Sequence, residues 1–168
     1  LDRGDLGHVN VDDLDAAFID WAQADASELG KSLNWDEPDP GLIGPNDVTE
    51  FLSTNPDNYY LLIASARQHV NQENWEQASV LLDQLIEAYP DQRGAGGALY
   101  LAAVVAKQQN DAEKEMRLLE ELASIDGDIT DAYLRLMQLA LENEDWKALR
   151  RNAERYMAVN PLVARPYE

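Results

Sequence analysis

"ENWEQASVLLDQLIEAYP" (Glu73–Pro90) and "EDWKALRRNAERYMAVNP" (Glu144–Pro161) align without a gap. Each begins with an acidic residue, Asn or Asp, and Trp, continues with helical apolar spacing, and ends in Pro. Trp75 and Trp146 stand 71 residues apart, as do Pro90 and Pro161. Between the copies, "NDAEKEMRLLEELASID" (Asn110–Asp126) keeps the same rhythm and closes at Asp126-Gly127. Upstream, "VTEFLSTNP" closes at Asn55-Pro56. Unit ends therefore fall at 56, 90, 127 and 161, with spacings of 34, 37 and 34. The three extra residues fit in "DQRGAGG" (Asp91–Gly97), whose glycines mark a lengthened turn.

Ala78, Leu81, Leu82, Leu85, Ile86 and Tyr89 recur every three or four residues, which puts them on one helix face. A Pro or Gly at each unit end stops the helix. In "DITD", Asp128 is expected to cap the following helix, with Asp131 completing a capping box. One helix pair cannot bury its own apolar face, so stacked neighbours must supply the core. The sequence repeats because each copy is half of a buried interface for the next.

A period of 34 built from two helices resembles the tetratricopeptide repeat family over residues 46–168. In the first full unit, Leu62, Ala66 and His69 fall at first-helix packing positions. Trp75 follows at the interhelix turn, then Ala78 at the small crossing position, Leu82, Leu85 and Pro90. The second unit supplies Leu99, Ala102, Ala103, Ala106, Leu119, Leu122 and Gly127. The third supplies Tyr133, Leu136, Trp146, Ala153, Tyr156 and Pro161. Glu115 and Leu149 depart from the small crossing residue, and Glu73 and Glu144 replace the usual turn glycine; altered helix-pair angles are expected there. The resemblance implies an all-α fold, a right-handed superhelical stack of antiparallel helix pairs (a TPR-like α-solenoid) of about eight helices. The array divides into a half unit at 46–58, units at about 59–92, 96–129 and 130–163, and the start of a truncated unit at 164–168. Trp75 and Trp146 are expected to pack at their turns. Tyr156, Met157, Val159, Leu162, Val163 and Tyr167 are expected to form an apolar edge prone to self-association.

Residues 1–45 form an acidic helical appendage and a linker. Asn10 caps a helix with Asp13 in its first turn, and Leu14, Phe18, Trp21, Ala22 and Leu29 mark an apolar stripe. "NWDEPDPGLIGP" (Asn34–Pro45), with three prolines and two glycines, reads as an irregular linker. "GHVNVDDLDAAFIDWAQ" (Gly7–Gln23) resembles the stretch after the catalytic part of some bacterial zinc-metallopeptidase-like proteins with C-terminal tetratricopeptide arrays. No His-Glu-x-x-His motif occurs, so peptidase chemistry would belong to sequence upstream. The chain starts at Leu1 and its first Met is Met116, so a piece of a longer bacterial protein or a processed product is expected.

The 168 residues carry a net charge of −19, from 32 acidic against 13 basic side chains. Residues 1–58 hold 14 acids and two bases, while Asp131–Glu168 hold six of each. Such a surface repels nucleic acid and anionic membranes and favours solubility. A basic partner for the N-terminal segment is the sharper reading. The longest apolar run, Ala98–Ala106, is nine residues, far short of a membrane span, so no membrane insertion is expected.

Chemistry is sparse. Two histidines and no cysteine leave little for a metal site, and His69 sits on a packing face. "DGDITD" (Asp126–Asp131) lacks the Gly and bidentate Glu of a calcium loop; helix capping explains it better. No carboxylate pair is singled out, Ser65, Ser79 and Ser124 have no nearby His, and "GAGG" lacks the features of a phosphate loop. Arg150, Arg151 and Arg155 read as surface cations paired with neighbouring acids. No catalytic, metal or cofactor site is expected.

The function expected of the array is non-catalytic protein binding. The resemblance places a concave groove at Tyr60, Ile63, Ala64 and Arg67, at Tyr100, Leu101, Val104 and Lys107, and at Leu134, Arg135, Gln138 and Leu141. Ile63, Leu101 and Asp131 stand where the chaperone-binding subclass places its carboxylate clamp, which argues against chaperone tails. "ALYLAAVVA" (Ala98–Ala106) is apolar on every face. Either the helix around Phe18 and Trp21 covers Tyr100, Leu101 and Val104, or these await a partner's apolar segment. The rival class is an accessory C-terminal domain of a larger, metallopeptidase-like enzyme.

Overall fold

The computed structural model describes residues 11–28, 30–39 and 48–161, and divides into a unit spanning Leu1–Lys31 and a unit spanning Ser32–Glu168. In the first unit, α1 runs Val11–Glu28. Its Phe18 and Trp21 rings lie 5.9 Å apart. The cap expected at Asn10, and Leu29 of the stripe, lie outside the described residues.

The second unit contains α2 (Val48–Thr54), α3 (Tyr59–Asn71), α4 (Trp75–Ala88), α5 (Ala98–Gln108), α6 (Ala112–Ile125), α7 (Thr130–Glu142) and α8 (Trp146–Val159). No β-strand occurs among the described residues. Helices α3 and α4, α5 and α6, and α7 and α8 form pairs, and each pair packs on the next through α4–α5 and α6–α7. The short α2 packs on α3. The core follows the repeat. Leu62, Ala66, Ala78, Leu82, Leu85, Leu99, Ala106 and Leu122 are all at most 1% exposed. Each buried leucine contributes about 1.5–3 kcal/mol through removal of apolar surface from water.

The turns within the three pairs share one backbone device. Asn74, Asp111 and Asp145 donate their N–H to the carbonyls of His69, Ala106 and Ala140, at 2.9, 2.9 and 2.8 Å. Glu73, Asn110 and Glu144 donate theirs to Val70, Lys107 and Leu141. This is the Schellman arrangement, which satisfies carbonyls left over at a helix end and requires a left-handed residue at its bend. Glu73, Asn110 and Glu144 supply it, with φ of 59°, 57° and 54°. Two glutamates therefore hold a conformation that costs an L-residue roughly 1–2 kcal/mol and that glycine adopts freely. After each bend the next helix starts, and Asp111 and Asp145 cap α6 and α8 by accepting from the N–H of Lys114 and Ala148.

The lengthened turn at 91–97 is tied on all sides. Buried Gln92 donates to the carbonyls of Leu85 and Tyr89 and accepts from the Ala98 N–H at the start of α5. Asp126 accepts from the Gly94 N–H at 2.8 Å, and Arg67 donates to the Gly96 carbonyl at 2.7 Å. Asp128 does not cap α7 as expected. The cap position is Ile129, without a side-chain bond, and it is Asp126 that holds the turn by accepting from the Asp128 N–H.

Three further expectations change. The stretch 34–36, read as the start of the linker, packs on the repeat unit together with Leu33. Leu33 enters the core, Asn34 exchanges backbone hydrogen bonds with Asp57 and Tyr59, and Trp35 stacks on Tyr59 with ring centroids 4.6 Å apart. Trp75 is half-buried against the core, but Trp146, at the same point of its unit, is 63% exposed. Helix α4 is followed by α5, which packs on it, whereas no described helix follows α8. Tyr156 is not an open edge: it is 6% exposed, and Met157 and Val159 are half-buried. Leu162, Val163 and Tyr167 lie outside the described residues.

Candidate functional site

The sequence places its groove on the first helices of successive pairs, and α5 and α7 do meet across a cleft. Tyr100, Val104 and Lys107 of α5 face Leu134, Arg135 and Gln138 of α7 around a volume of about 390 Å³. Side chains on a helix meet every three to four residues, so 100, 104 and 107 form one stripe, and 134, 135 and 138 another. Ala103 and Leu119 line the apolar base, and Glu115 and Asp131 complete the wall.

The remaining predicted positions lie elsewhere. Ile63 is 6% exposed and belongs to the core, so it presents no groove surface. Tyr60 sits in an aromatic group, edge-on to Tyr59 at 5.4 Å. Arg67 is committed to the Gly96 carbonyl. Leu101 is half-buried against the core, Ala64 is half-buried on α3, and Leu141 is 55% exposed near the end of α7. Of the twelve predicted partner-groove positions from Tyr60 to Leu141, six thus converge on one cleft.

The cleft also contains a feature that spacing could not show. Glu115, noted in the sequence as the wrong residue for a small crossing position, is 3% exposed and forms a two-pronged ion pair with Arg135. Arg135 donates Nε to one carboxylate oxygen at 2.6 Å and Nη2 to the other at 2.8 Å. The planar guanidinium fits a carboxylate in this way, which lysine cannot do. The hydrogen bond to Glu115 raises the Arg135 pKa above its already high ordinary value, so it stays cationic. Arg135 also lies 3.6 Å from Glu142 and 3.3 Å from the Gln138 amide oxygen. Its charge is therefore spent inside the protein. Lys107 is the one predicted groove cation without an ion pair or side-chain hydrogen bond among the described residues.

Burial raises the Tyr100 phenol above its usual range, and the nearby Asp131 charge raises it further. Tyr100 thus stays neutral at ordinary pH, able to donate from its hydroxyl. Asp131, read as a capping residue, instead lines the cleft.

Outside the cleft, Arg150 and Arg151 pair with Glu154 and Glu120 at 2.7 and 2.8 Å, as a solvated patch would. His69 is half-buried, and its Nδ1 has no hydrogen-bond partner among the described residues. No group of three or more His, Asp or Glu side chains among them is arranged to hold a metal ion. No described helix is long and apolar enough to cross a membrane.

No protein-family model and no curated protein sequence matches the chain. Solved structures do. A crystal structure of MamA aligns with a TM-score of 0.62 over 73% of this chain and 70% of that one, at 14% identity. A crystal structure of MamA protein aligns with a TM-score of 0.61 over 73% of this chain and 66% of that one, also at 14% identity. The likeness is one of fold. It agrees with the helix pairs described above, and the described residues form an all-helical, tetratricopeptide-like fold.

Proposed function

We propose that the chain is a non-catalytic interaction module that holds an extended segment of a protein partner along its first-helix face, in the cleft between α5 and α7. The convergence of side chains from two successive units on one cleft carries this reading. An apolar base walled by polar side chains suits the docking of one or two side chains of an extended peptide. Tyr100 offers a hydroxyl donor, Lys107 an available cation, and Asp131 an acceptor, so a partner segment with an apolar residue beside an acidic one fits best. The buried Glu115–Arg135 pair holds α6 against α7 and so sets the width of the cleft before any partner arrives.

The test is selection of binding peptides from a displayed random library against the folded chain, followed by photo-crosslinking from benzoylphenylalanine at single sites. Crosslinks from positions 104 and 138, with none from position 80 on the exposed side of α4, are expected. Tyr100→Ser and Lys107→Glu should each reduce affinity by about tenfold, the effect of about 1.4 kcal/mol, with unchanged circular dichroism. Equal crosslinking from position 80, or affinity indifferent to Tyr100 and Lys107, would overturn the assignment.

A further inference from the structure

A second cleft lies away from the first, between α6, the C-terminal half of α7, and α8, with a volume of about 260 Å³. Met116, Leu136, Ala140 and Ala148 give it an apolar lining. Asn152 lines it as well, although the residue is only 1% exposed. The Asn152 Oδ1 has no hydrogen-bond partner among the described residues. Leaving a buried amide unpaired is unfavourable, so each such group calls for an explanation.

The repeat supplies an internal comparison. Counting back by the unit spacings, position 152 corresponds to 118 in the second unit and 81 in the first, and both are leucine. Leucine would fill the same place in α8 with no amide to desolvate. Packing alone does not favour the exchange to asparagine. Glu113, Glu120 and Asp145 also line the cleft, and no basic side chain does. Two of these acids are already engaged, Glu120 with Arg151 and Asp145 with the Ala148 N–H. Glu113 is exposed and has no ion pair among the described residues.

We propose that this cleft is a recognition pocket for a single arginine side chain of a partner protein. The methylene stem would lie along Met116, Leu136 and Ala140, as long cationic side chains cover apolar surface while their heads stay polar. The guanidinium has five N–H donors in a fixed plane, enough to satisfy the Asn152 oxygen and reach the Glu113 carboxylate together. The chain's charge of −19 favours the approach of a basic segment. This site is separate from the α5–α7 cleft and does not depend on that reading.

The experiment is a titration of the isotope-labelled chain with N-acetyl-arginine amide, read by nuclear magnetic resonance. It runs to about 50 mM, where an affinity near 1 mM saturates. Salt at about 0.15 M suppresses loose attraction to exposed acids. Saturable shifts of the Asn152 side-chain amide and of the Ala140 and Ala148 methyls are expected. N-acetyl-lysine amide should follow more weakly, and N-acetyl-norleucine amide should leave these signals unmoved. Asn152→Leu, which restores the residue of the other two units, should raise the melting temperature and lower arginine affinity about tenfold. Glu113→Gln, at an exposed position, should lower it severalfold while the circular dichroism of the folded chain stays unchanged. The proposal fails if norleucine amide binds as well as arginine amide, or if shifts are confined to exposed acids. It also fails if Asn152→Leu leaves affinity unchanged, which would leave the amide a hydrated core group.

Discussion

Removing either member of the Glu115–Arg135 pair should have very different consequences, although both removals break the same ion pair. Glu115 is buried with a side chain 3% exposed, whereas the Arg135 side chain is 22% exposed. Arg135→Leu leaves a carboxylate in the core with both hydrogen bonds lost. Stranding one charge of a buried pair costs about 3–5 kcal/mol. Water in the neighbouring cleft partly relieves this, so the lower end, about 3 kcal/mol, is expected. Glu115→Ala instead puts a small residue where the first unit has the fully buried Ala78. The guanidinium left behind still has Glu142 at 3.6 Å, Gln138 at 3.3 Å and solvent. That loss should be about 1 kcal/mol or less. In the double variant the stranded acid is gone, so its cost should fall about 2 kcal/mol below the sum of the single ones. Urea unfolding of the four proteins at neutral pH, followed by circular dichroism, gives the cycle directly. Equal costs for the two single variants, or additive costs in the double, would refute the claim that burial of Glu115 controls the energetics.

Glu73→Gly and Glu144→Gly relieve left-handed strain at the two bends and should each stabilise by about 0.5–1 kcal/mol, after allowing for the extra freedom of glycine in the unfolded chain; destabilisation in urea would contradict the bend geometry. Asn110→Gly should gain less, because asparagine tolerates that conformation. Trp75→Ala should cost about 2 kcal/mol and Trp146→Ala under about 1 kcal/mol, the difference following burial; the reverse order in thermal melts would show that the exposed ring is covered. Tyr59 and Tyr100 have pKa values raised above 10.0, both chiefly by burial. Above pH ~10 the unfolded chain loses these protons first, so the native state binds more protons and stability falls as pH rises through that window. Ultraviolet titration of the folded chain should show at least two late-ionising tyrosines, and stability that rises above pH ~10 would reverse the sign.

Local sequence was sufficient for the helices. Their faces follow from apolar residues every three or four positions, and their ends from Pro, Gly and the polar residues at each bend, all short-range effects. The additional residues that the spacing put at 91–97 do form a longer turn between α4 and α5. Helix spacing also placed Tyr100, Val104 and Lys107 on one stripe and Leu134, Arg135 and Gln138 on another. What lay beyond it was the set of relations between helices. Glu115 looked like a defect in its own unit because its partner, Arg135, belongs to the next helix pair. Ile63 had groove spacing but is enclosed by its neighbours. Trp35 was indistinguishable from linker because its binding surface is made by Tyr59 and Tyr89, far along the chain. Trp75 and Trp146 occupy equivalent places in nearly the same motif, yet one is half-buried and the other open. Burial is a property of whatever stacks on the surface, and side chains three or four residues away do not determine it.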